Sequence, residues 1–392
     1  MTTLCCRFAC LVAFCLPSLS LFAAETNTLT PEELSEGWVQ LFDGETLFGW
    51  KTPADASWKV ADGVIAADEA ADSLVSTSQF GNFVLSLQVQ AAAESDASLY
   101  LRSTPKPTEK KGGSYEVSLS GGDKATWPLG SIIGQAKAKP AATEGWQTVE
   151  ITADAGRLAV QVDGKPAAEW TDPKPLGRGF LVVASRKGKI SLRNVKLRPL
   201  DTEPLFDSKS LAGWKPTPEN KSVFTVTPEG WLHVKNGKGS LETEGEYGDF
   251  TLQFEVFVGG KALNSGVFYR CIPGEVMNGY ECQIQNGFQE GDRTKPQDCG
   301  TGGIFRRQDA RKVMSNDFEW FPMTIHADGN HVATWVCGVQ VADWTDTRSP
   351  HANPRNGRRL EPGTIQLQGH DATTDLSFRN LRIAPLPPRS KK

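Results

Sequence analysis

Apolar and polar residues alternate with a period of two along most of this chain. The clearest alternating segments lie between Gly, Asn, Asp and Pro residues: FTLQFEVFV (250–258), GVFYR (266–270), YECQIQ (280–285), TIQLQ (364–368) and LSFRNLRI (376–383). A period of two places successive side chains on opposite faces of a strand, so these segments predict half-buried β-strands. Asp163-Gly164, between two such runs, predicts a hairpin turn.

An internal duplication is the strongest pattern in the sequence. Four segments of the first half recur in the second: 41–51 as 205–215, 80–89 as 247–256, 145–172 as 319–346, and 191–200 as 377–386. Repeats this far apart indicate duplicated domains rather than a stack of short repeats. We expect domains at 39–200 and 203–386, and the connection between them is too short to act as a free linker.

Each half holds about ten short strands, which predicts an all-β fold of two tandem jelly-roll sandwiches. The abundance of turn-forming residues, 38 Gly and 24 Pro, agrees with this fold class. The formal charge of −4 argues against nucleic acid or an anionic membrane as the main partner. The sequence leaves the oligomeric state open.

The first 24 residues predict a signal peptide. Arg7 is their only charged residue, and an apolar run follows from Phe8 to Phe22. This run is shorter than the roughly 20 residues that span a bilayer. We therefore expect an exported protein, in the periplasm or outside the cell, with no transmembrane span after the signal is removed. A signal-anchor is the alternative.

Both ends of the mature chain carry short segments outside the two domains. Residues 25–38 predict a short helical lead, because Thr30, Pro31 and Glu33 match a capping box with proline at the first helical position. Residues 387–392 form a basic tail.

Four cysteines remain after the predicted signal: Cys271, Cys282, Cys299 and Cys337. An exported protein can hold them as disulfides. Cys271 and Cys282 lie on segments that we interpret as neighbouring strands, so a bridge between these two is the favoured pairing. Four buried free thiols are the alternative.

Two predicted strands of the second half place polar residues on one face. Alternation groups Glu281, Gln283 and Gln285 on one strand, and Thr364, Gln366, Gln368 and His370 on the other. Amide groups offer donors and an acceptor, which suits the hydroxyl groups of a sugar. A solvated outer face without a ligand is the alternative.

The first half provides an internal control for this face. Ser118 and Ser120 stand where the second half has Gln283 and Gln285, and Phe180, Val182 and Ala184 replace the Thr and Gln residues of the other strand. All five histidines lie in the second half. We therefore expect the chemistry in the second domain, with the first domain as a structural or glycan-docking partner.

These motifs resemble the 3-keto-disaccharide hydrolase domain. The resemblance is carried by Leu205-Phe206-Asp207 with Gly213-Trp214, Asn264-Ser265-Gly266 with Arg270, Gly279-Tyr280-Glu281 with Gln283-Ile284, Thr301-Gly302-Gly303-Ile304 and Phe378-Arg379-Asn380. It covers nearly the whole mature chain as two copies, and the first copy matches more loosely. It implies concanavalin-like jelly-roll β-sandwiches and exported enzymes that cleave glycosides oxidised at the sugar's 3-position.

Glu281 supplies one carboxylate, whereas ordinary glycoside hydrolysis generally needs two. Jelly-roll glucanases place theirs on one strand as E-x-D-x-x-E, and this strand has E-x-Q-x-Q instead. A ketone at C3 acidifies the C2 proton, so a single base can start a β-elimination. We expect Glu281 or His370 to act as base or acid.

Further roles can be assigned for the same reaction. Arg270, Arg306 and Asn264 would stabilise the enolate oxygen, and Gln283, Gln285, Gln366 and Gln368 would bind the sugar. Asp371 would orient His370, and Glu281, His370 and Asp371 could together hold a divalent cation; no other cofactor is indicated. A non-catalytic carbohydrate-binding protein and a structural module of the cell envelope are the rival interpretations.

Overall fold

The computed structural model describes residues 25–53, 57–69, 71–107, 113–122, 124–140 and 145–389. The predicted signal peptide and the end of the predicted basic tail, residues 390–392, lie outside these residues. The described chain consists almost entirely of β-strands and forms two sandwiches in tandem. The predicted all-β fold class is confirmed.

The first sandwich is built from strands in the first half of the chain. They are Val39–Gln40 (β1), Trp50–Lys51 (β2), Lys59–Ala61 (β3), Val64–Ala67 (β4), Ala71–Phe80 (β5), Phe83–Ala91 (β6), Asp96–Ser103 (β7), Tyr115–Ser118 (β8), Gln147–Asp154 (β9), Arg157–Val162 (β10), Lys165–Thr171 (β11), Gly179–Lys187 (β12) and Ile190–Pro199 (β13).

The second sandwich follows directly. Its strands are Glu203–Pro204 (β14), Trp214–Pro216 (β15), Val223–Val226 (β16), Leu232–Lys235 (β17), Gly239–Thr243 (β18), Phe250–Val258 (β19), Ser265–Cys271 (β20), Tyr280–Ile284 (β21), Phe288–Gln289 (β22), Asp292–Pro296 (β23), Trp320–Asp328 (β24), His331–Val336 (β25), Val339–Thr345 (β26), Thr364–Gly369 (β27) and Asp375–Pro385 (β28).

Each sandwich pairs a long sheet with a five-stranded sheet. The long sheets run β11-β10-β9-β6-β13-β4-β3, with β1 beside β13, and β26-β25-β24-β19-β28-β17-β16, with β14 beside β28. The five-stranded sheets run β2-β5-β12-β7-β8 and β15-β18-β27-β20-β21. Because the strand orders of the two copies correspond, the duplication extends to the topology. The hairpin β22-β23 lies in the second copy. We call the sheet β15-β18-β27-β20-β21 the site sheet.

Apolar side chains fill the space between the two sheets of each sandwich. From the site sheet, the core receives Leu241, Val267, Cys282, Ile365 and Leu367, all fully buried. Side chains alternate along a strand, so the residues between these five project from the opposite side of the site sheet. That opposite side carries the polar residues singled out from the sequence.

The two predicted local motifs are both present. In the helix Pro31–Glu36 (α1), the Thr30 hydroxyl accepts a bond from the Glu33 N–H, and the Glu33 carboxylate accepts one from the Thr30 N–H. Asp163 and Gly164 join β10 to β11 with φ of 51° and 71°, the left-handed conformation that a tight hairpin turn requires. Among the described residues, no helix has the length and apolar character needed to span a bilayer.

The two sandwiches are in direct contact. Trp335 of the second packs into the core of the first and donates its indole N–H to the Gln40 carbonyl oxygen at 2.8 Å. Arg178 of the first donates to the buried Asp328 carboxylate at 2.9 Å. Arg389 of the tail donates to the same carboxylate at 2.9 Å. A buried tryptophan and a buried ion pair hold the two halves in a fixed relation.

The predicted Cys271–Cys282 disulfide is wrong, because the cysteines in the described chain are free thiols. Strands β20 and β21 are neighbours, as expected. Their register, however, pairs Cys282 with Val267, four positions before Cys271. Four residues of strand span about 13 Å, whereas the Cα atoms of a disulfide lie roughly 4.4–6.8 Å apart.

His326 lies at the contact between the sandwiches and is buried. Its Nδ1 is 2.8 Å from the Thr251 hydroxyl, and its Nε2 is 3.0 Å from the Gln79 carbonyl oxygen. Burial lowers the pKa of His326 from 6.5 to about 4, although the Asp328 carboxylate acts in the opposite direction. A neutral imidazole with its proton on Nε2 satisfies both bonds.

We expect His326 to make the protein less stable as the pH falls from 6.5 towards 4. Over this interval the unfolded chain binds a proton that the folded protein does not, so the free energy of unfolding decreases with falling pH. His326→Gln should remove about 2 kcal/mol of the decrease between pH 7 and pH 4.5. Urea unfolding of both proteins at pH 7 and pH 4.5 measures the difference. An equal loss of stability in the variant would contradict this assignment.

Candidate active site

The side of the site sheet that faces away from the core is the polar face. Its first row, across β18, β27, β20 and β21, contains Glu242, Gln366, Phe268 and Glu281. In the next row, Gln368 stands opposite Ser240 and Gln283 opposite Gly266. Most of these polar side chains are buried although they point away from the core. Loops of the second domain therefore cover this face.

Glu281 stands at the centre of this arrangement and is only 6% exposed. Its Oε2 accepts a hydrogen bond from Arg355 Nη2 at 3.0 Å. Burial raises the pKa of Glu281, the Arg355 guanidinium opposes that rise, and the neighbouring Asp298 adds to it. A carboxylate in this setting accepts a proton more readily than an exposed one.

Arg355 belongs to the loop between β26 and β27, and sequence reasoning did not include it among the site residues. Its Nε donates to the Met277 carbonyl oxygen at 3.0 Å. The centre of its guanidinium lies 5.0 Å from the Phe268 ring centroid and 5.5 Å from that of Phe305. Two aromatic rings and a carbonyl thus fix a cation directly beside the Glu281 carboxylate.

Gln283 is fully buried next to Glu281. Its Nε2 donates to Asp298 Oδ2 at 3.2 Å and to Asn264 Oδ1 at 3.4 Å, and Asn264 also donates to Asp298. The Gln283 Oε1 has no hydrogen-bond partner within the described chain. A buried, unpaired carbonyl oxygen is suited to a ligand that donates a hydrogen bond.

Gln368 and Gln366 differ in what their amides can do. The Gln368 Nε2 lies 3.2 Å from the Met277 sulfur, and its buried Oε1 is unpaired in the part of the chain that the structure describes. The Gln366 amide accepts from the Met277 N–H and donates to the Glu275 carbonyl, both at 2.9 Å. Gln366 therefore anchors the loop 272–279 over one end of the polar face. Its role in binding sugar stays a prediction, since this loop occupies its amide.

His370 lies at the open end of the polar face, with 41% of its side chain exposed. Its Nδ1 is 2.8 Å from Asp371 Oδ2, which leaves Nε2 free to face a ligand. Hydrogen bonds from Thr373 and His370 lower the pKa of Asp371 to about 2. An ionised Asp371 orients the imidazole and favours a proton on Nδ1.

Arg270 does not reach the polar face, so its predicted catalytic role is wrong. Its guanidinium is buried and donates to the carbonyl oxygens of Gly248, Gly329 and Arg359 and to the Asp249 carboxylate, the last at 2.7 Å. These bonds tie together loops at one end of the second sandwich.

The reason lies in the backbone of β20. The register with β27 shifts between Phe268 and Cys271, and Arg270 has a left-handed φ of 50°. Regular alternation would direct Arg270 to the polar face with Gly266 and Phe268, but it ends before this residue. Arg102, the corresponding residue of the first domain, has the same φ and likewise binds loop carbonyls.

Arg306 and Gln285 lie at the border of the polar face. The Arg306 guanidinium stacks on the Phe305 ring at 5.2 Å and is exposed, and Phe305 follows the stretch that pairs with β21. The Gln285 Oε1 accepts a bond from the Gly287 N–H at the end of β21. Neither residue contacts Glu281 among the described hydrogen bonds and ion pairs.

The predicted cation ligands do not form a metal site. Asp371 uses its carboxylate oxygens for Thr373 and His370. Glu281 pairs with Arg355 instead of with Asp371. No group of three or more His, Cys, Asp or Glu side chains within the described residues is arranged to hold a metal ion. The donor set therefore does not fit the divalent cation considered from the sequence.

In the first domain, the corresponding carboxylate is already occupied. Glu116 matches Glu281, and Ser98, at the position of Gly266, donates to Glu116 Oε1 at 2.7 Å. Arg186, at the position of His370, donates to the same oxygen at 2.6 Å. The first domain therefore neutralises its own carboxylate and has no imidazole beside it.

A family model described as the 3-keto-alpha-glucoside-1,2-lyase-like domain matches residues 37–198 and 201–384. The chain belongs to this family. The two matches correspond to the two sandwiches, so the protein contains two copies of the lyase-like domain. The resemblance inferred from the motifs is confirmed. No curated protein matches the chain with significance.

Solved structures resemble single copies of the lyase-like domain. Two crystal structures of candidate glycosyl hydrolases from Parabacteroides distasonis are 19% and 27% identical, cover 45% and 47% of this chain and 100% of their own, and have TM-scores of 0.41 and 0.37. A β-glucanase from Bacillus licheniformis is 11% identical, covers 42% of this chain and 98% of its own, and has a TM-score of 0.33.

Sequence reasoning missed several residues of this lyase-like site. Glu242 is fully buried on the polar face and accepts bonds from the Gly274 N–H and the Thr364 hydroxyl. Glu242 lies two positions after Ser240 on the same strand, so the period of two in the sequence could have assigned it to this face. Arg355 and Asp298 lie in irregular loops, where no periodicity indicates which way a side chain points.

Gly266 supplies the space that the Glu281 carboxylate occupies. A Cβ added at Gly266 would lie 2.8 Å from Glu281 Oε1 and 3.0 Å from its Cγ. We expect Gly266→Ala to displace the carboxylate and lower turnover at least tenfold, while the free energy of unfolding changes by only about 1 kcal/mol. Steady-state kinetics and urea unfolding test both effects. Unchanged turnover would show that the position of this carboxylate is not critical.

Proposed function

We propose that the second lyase-like domain cleaves 3-keto-glycosides by removing the C2 proton and eliminating the group at C1. The observation that carries this proposal is the buried Glu281, whose pKa is raised by burial, in contact with the Arg355 guanidinium. Membership of the 3-keto-glucoside lyase-like family supports it. A single strong base is what this elimination requires.

The reaction balances in two steps. Glu281 takes the C2 proton, and the electron pair of the C2–H bond moves towards the C3 ketone to form an enolate. The enolate then re-forms the ketone, a C1–C2 double bond forms, and the C1–O bond breaks. The leaving oxygen takes a proton and departs as an alcohol. Water then adds to C1, a proton returns to C2, and the products are the 3-keto sugar and the free alcohol.

Two groups near Glu281 would assist it. Arg355 is a fixed cation that can stabilise the negative charge on the C3 oxygen as it develops. His370 in its protonated form, with its Nδ1 proton bonded to Asp371, can donate the Nε2 proton that the leaving oxygen needs. The unpaired carbonyl oxygens of Gln283 and Gln368 can accept bonds from sugar hydroxyl groups.

The test uses the full mature chain with 3-keto-trehalose, 3-keto-lactose and an aryl 3-keto-glucoside, beside the unoxidised parent glycosides. Release of sugar or phenol only from the oxidised compounds is the expected result. In deuterated water, the released 3-keto sugar should carry deuterium at C2, in excess of product incubated without enzyme. A parallel reaction with a chelator should proceed at the same rate.

Each outcome separates the candidate functions. Release without deuterium at C2 would overturn the elimination route but retain a glycoside-cleaving enzyme. Binding of the oxidised sugars without any release would favour the non-catalytic carbohydrate-binding protein.

Export of the mature chain to the periplasm or beyond is part of the proposal, and it is tested by fractionating cells that express the complete sequence.

A further inference from the structure

An arginine-rich edge lies beside the candidate site. Arg306, Arg307, Arg348 and Arg355 belong to two neighbouring loops, and the guanidinium groups of Arg307 and Arg348 both reach the Arg355 carbonyl oxygen. Arg306 and Arg355 both stack on the Phe305 ring. Four guanidinium groups thus lie close together in a chain whose formal charge is −4.

Two of these four charges are not neutralised. Arg355 pairs with Glu281 at 3.0 Å, and Arg348 pairs with Asp346 at 2.8 Å. Arg306 and Arg307 form no ion pair within the described residues. Arg307 donates only to the carbonyl oxygens of Arg306 and Arg355. Burial and the neighbouring Arg348 lower the pKa of Arg307, although the Asp346 carboxylate acts in the opposite direction.

Arg306 lies in a turn of the second domain where the first domain has a glycine. In the first domain, Ile132 pairs with β8 as Ile304 pairs with β21, and this equivalence aligns Gly134 with Arg306. Both residues have left-handed backbones, with φ of 78° for Gly134 and 57° for Arg306. This conformation is free for glycine but costs roughly 1 kcal/mol for other residues. The second domain thus holds an arginine in a turn conformation that favours glycine.

We propose that the substrate carries a negatively charged group, a carboxylate or a sulfate, that binds Arg306 and Arg307. This inference rests on the proposed function, because it concerns the substrate of the same site. A planar guanidinium binds such anions through two parallel hydrogen bonds, which a neutral sugar cannot offer. Phe305 links Arg306 to Arg355, so one ligand of disaccharide size can contact Glu281 and this edge together.

The test compares two aryl 3-keto-glucosides of similar size, one with a carboxylate and one with a carboxamide at the 4-position of the phenol, and each ratio is corrected by the ratio of the uncatalysed reactions. The wild-type full chain should cleave the carboxylate with a kcat/KM about five- to tenfold higher at low salt. Arg306→Gln should bring this ratio close to one, mainly through KM. About 0.5 M salt should reduce it as well. A 4-sulfonate compound shows whether sulfate-like anions are preferred over carboxylates.

Arg157→Gln is the matched control, since Arg157 is an exposed arginine of the first domain that pairs with Glu169. It should leave the ratio unchanged. If both compounds are cleaved equally by the wild type, the anionic substrate is wrong and the proposed cleavage stands. If neither is cleaved, the proposed cleavage fails. Calorimetric binding of the two compounds then tests the charge preference, and equal affinities would overturn it.

Discussion

Glu281→Gln is expected to lower kcat for 3-keto-glycoside cleavage about 10³-fold, the effect of removing a positioned general base. Glutamine fills the same space and can still bond to Arg355, so the affinity for a 3-keto sugar should change little. Single-turnover kinetics and calorimetric binding measure the two quantities separately. Retention of more than a tenth of the wild-type rate would assign the base to another residue.

The first domain offers the control for this variant. Glu116 occupies the corresponding position of β8, and its carboxylate is bonded to Ser98 and Arg186. Glu116→Gln should therefore leave kcat unchanged. If Glu116→Gln abolished turnover and Glu281→Gln did not, the chemistry would lie in the first domain.

The dependence of activity on pH tests independently whether Glu281 acts as the base. A base must be ionised, and burial raises the pKa of Glu281 above its ordinary value of 4.5. Activity should therefore decrease as the pH falls through this raised pKa. The acidic limb of kcat/KM should disappear in the residual activity of Glu281→Gln.

Arg270→Met is expected to destabilise the protein by about 3–5 kcal/mol without a comparable loss of chemistry. The substitution removes one of the partners of the Asp249 carboxylate, which keeps Arg178, and it removes the guanidinium donors of the Gly248, Gly329 and Arg359 carbonyl oxygens. Urea unfolding should show the loss, while kcat per folded molecule should stay within about threefold of the wild type.

Arg102→Met tests the same role in the first domain, where Arg102 binds the Gly81 and Leu176 carbonyl oxygens at 2.9 and 2.8 Å. A similar loss of stability in both variants would show that this arginine stabilises the loops in each copy of the domain. A large fall in kcat for Arg270→Met alone would restore the catalytic role predicted from the sequence.

The fold was accessible from the sequence because its signals are local or repeated. Alternation along 250–258 and 364–368 predicted strands that the structure contains, and Thr30 with Glu33 predicted the capped helix. Alternation also predicted part of the site, since Glu281, Gln283 and Gln368 do share the polar face. Alternation assigns faces correctly wherever the strand is regular.

The sequence predictions are incomplete or wrong where a strand becomes irregular or where a loop packs against the sheet. Arg270 was misassigned because a backbone irregularity turns it away from the polar face. Gln366 lies on the predicted face, but the loop 272–279 occupies its amide, which alternation did not indicate. Cys271 and Cys282 lie on paired strands, but the register sets them too far apart to bond.

The sequence by itself determined the all-β class, the duplication, the family and the strand face that carries Glu281, because periodicity and repetition are properties of neighbouring residues. Only the tertiary structure decided which partners meet on that face. Arg355 is 74 residues from Glu281 along the chain, and it reaches the carboxylate only because the loop after β26 folds back over the site sheet. Contacts of this kind depend on how loops pack, for which no local pattern exists.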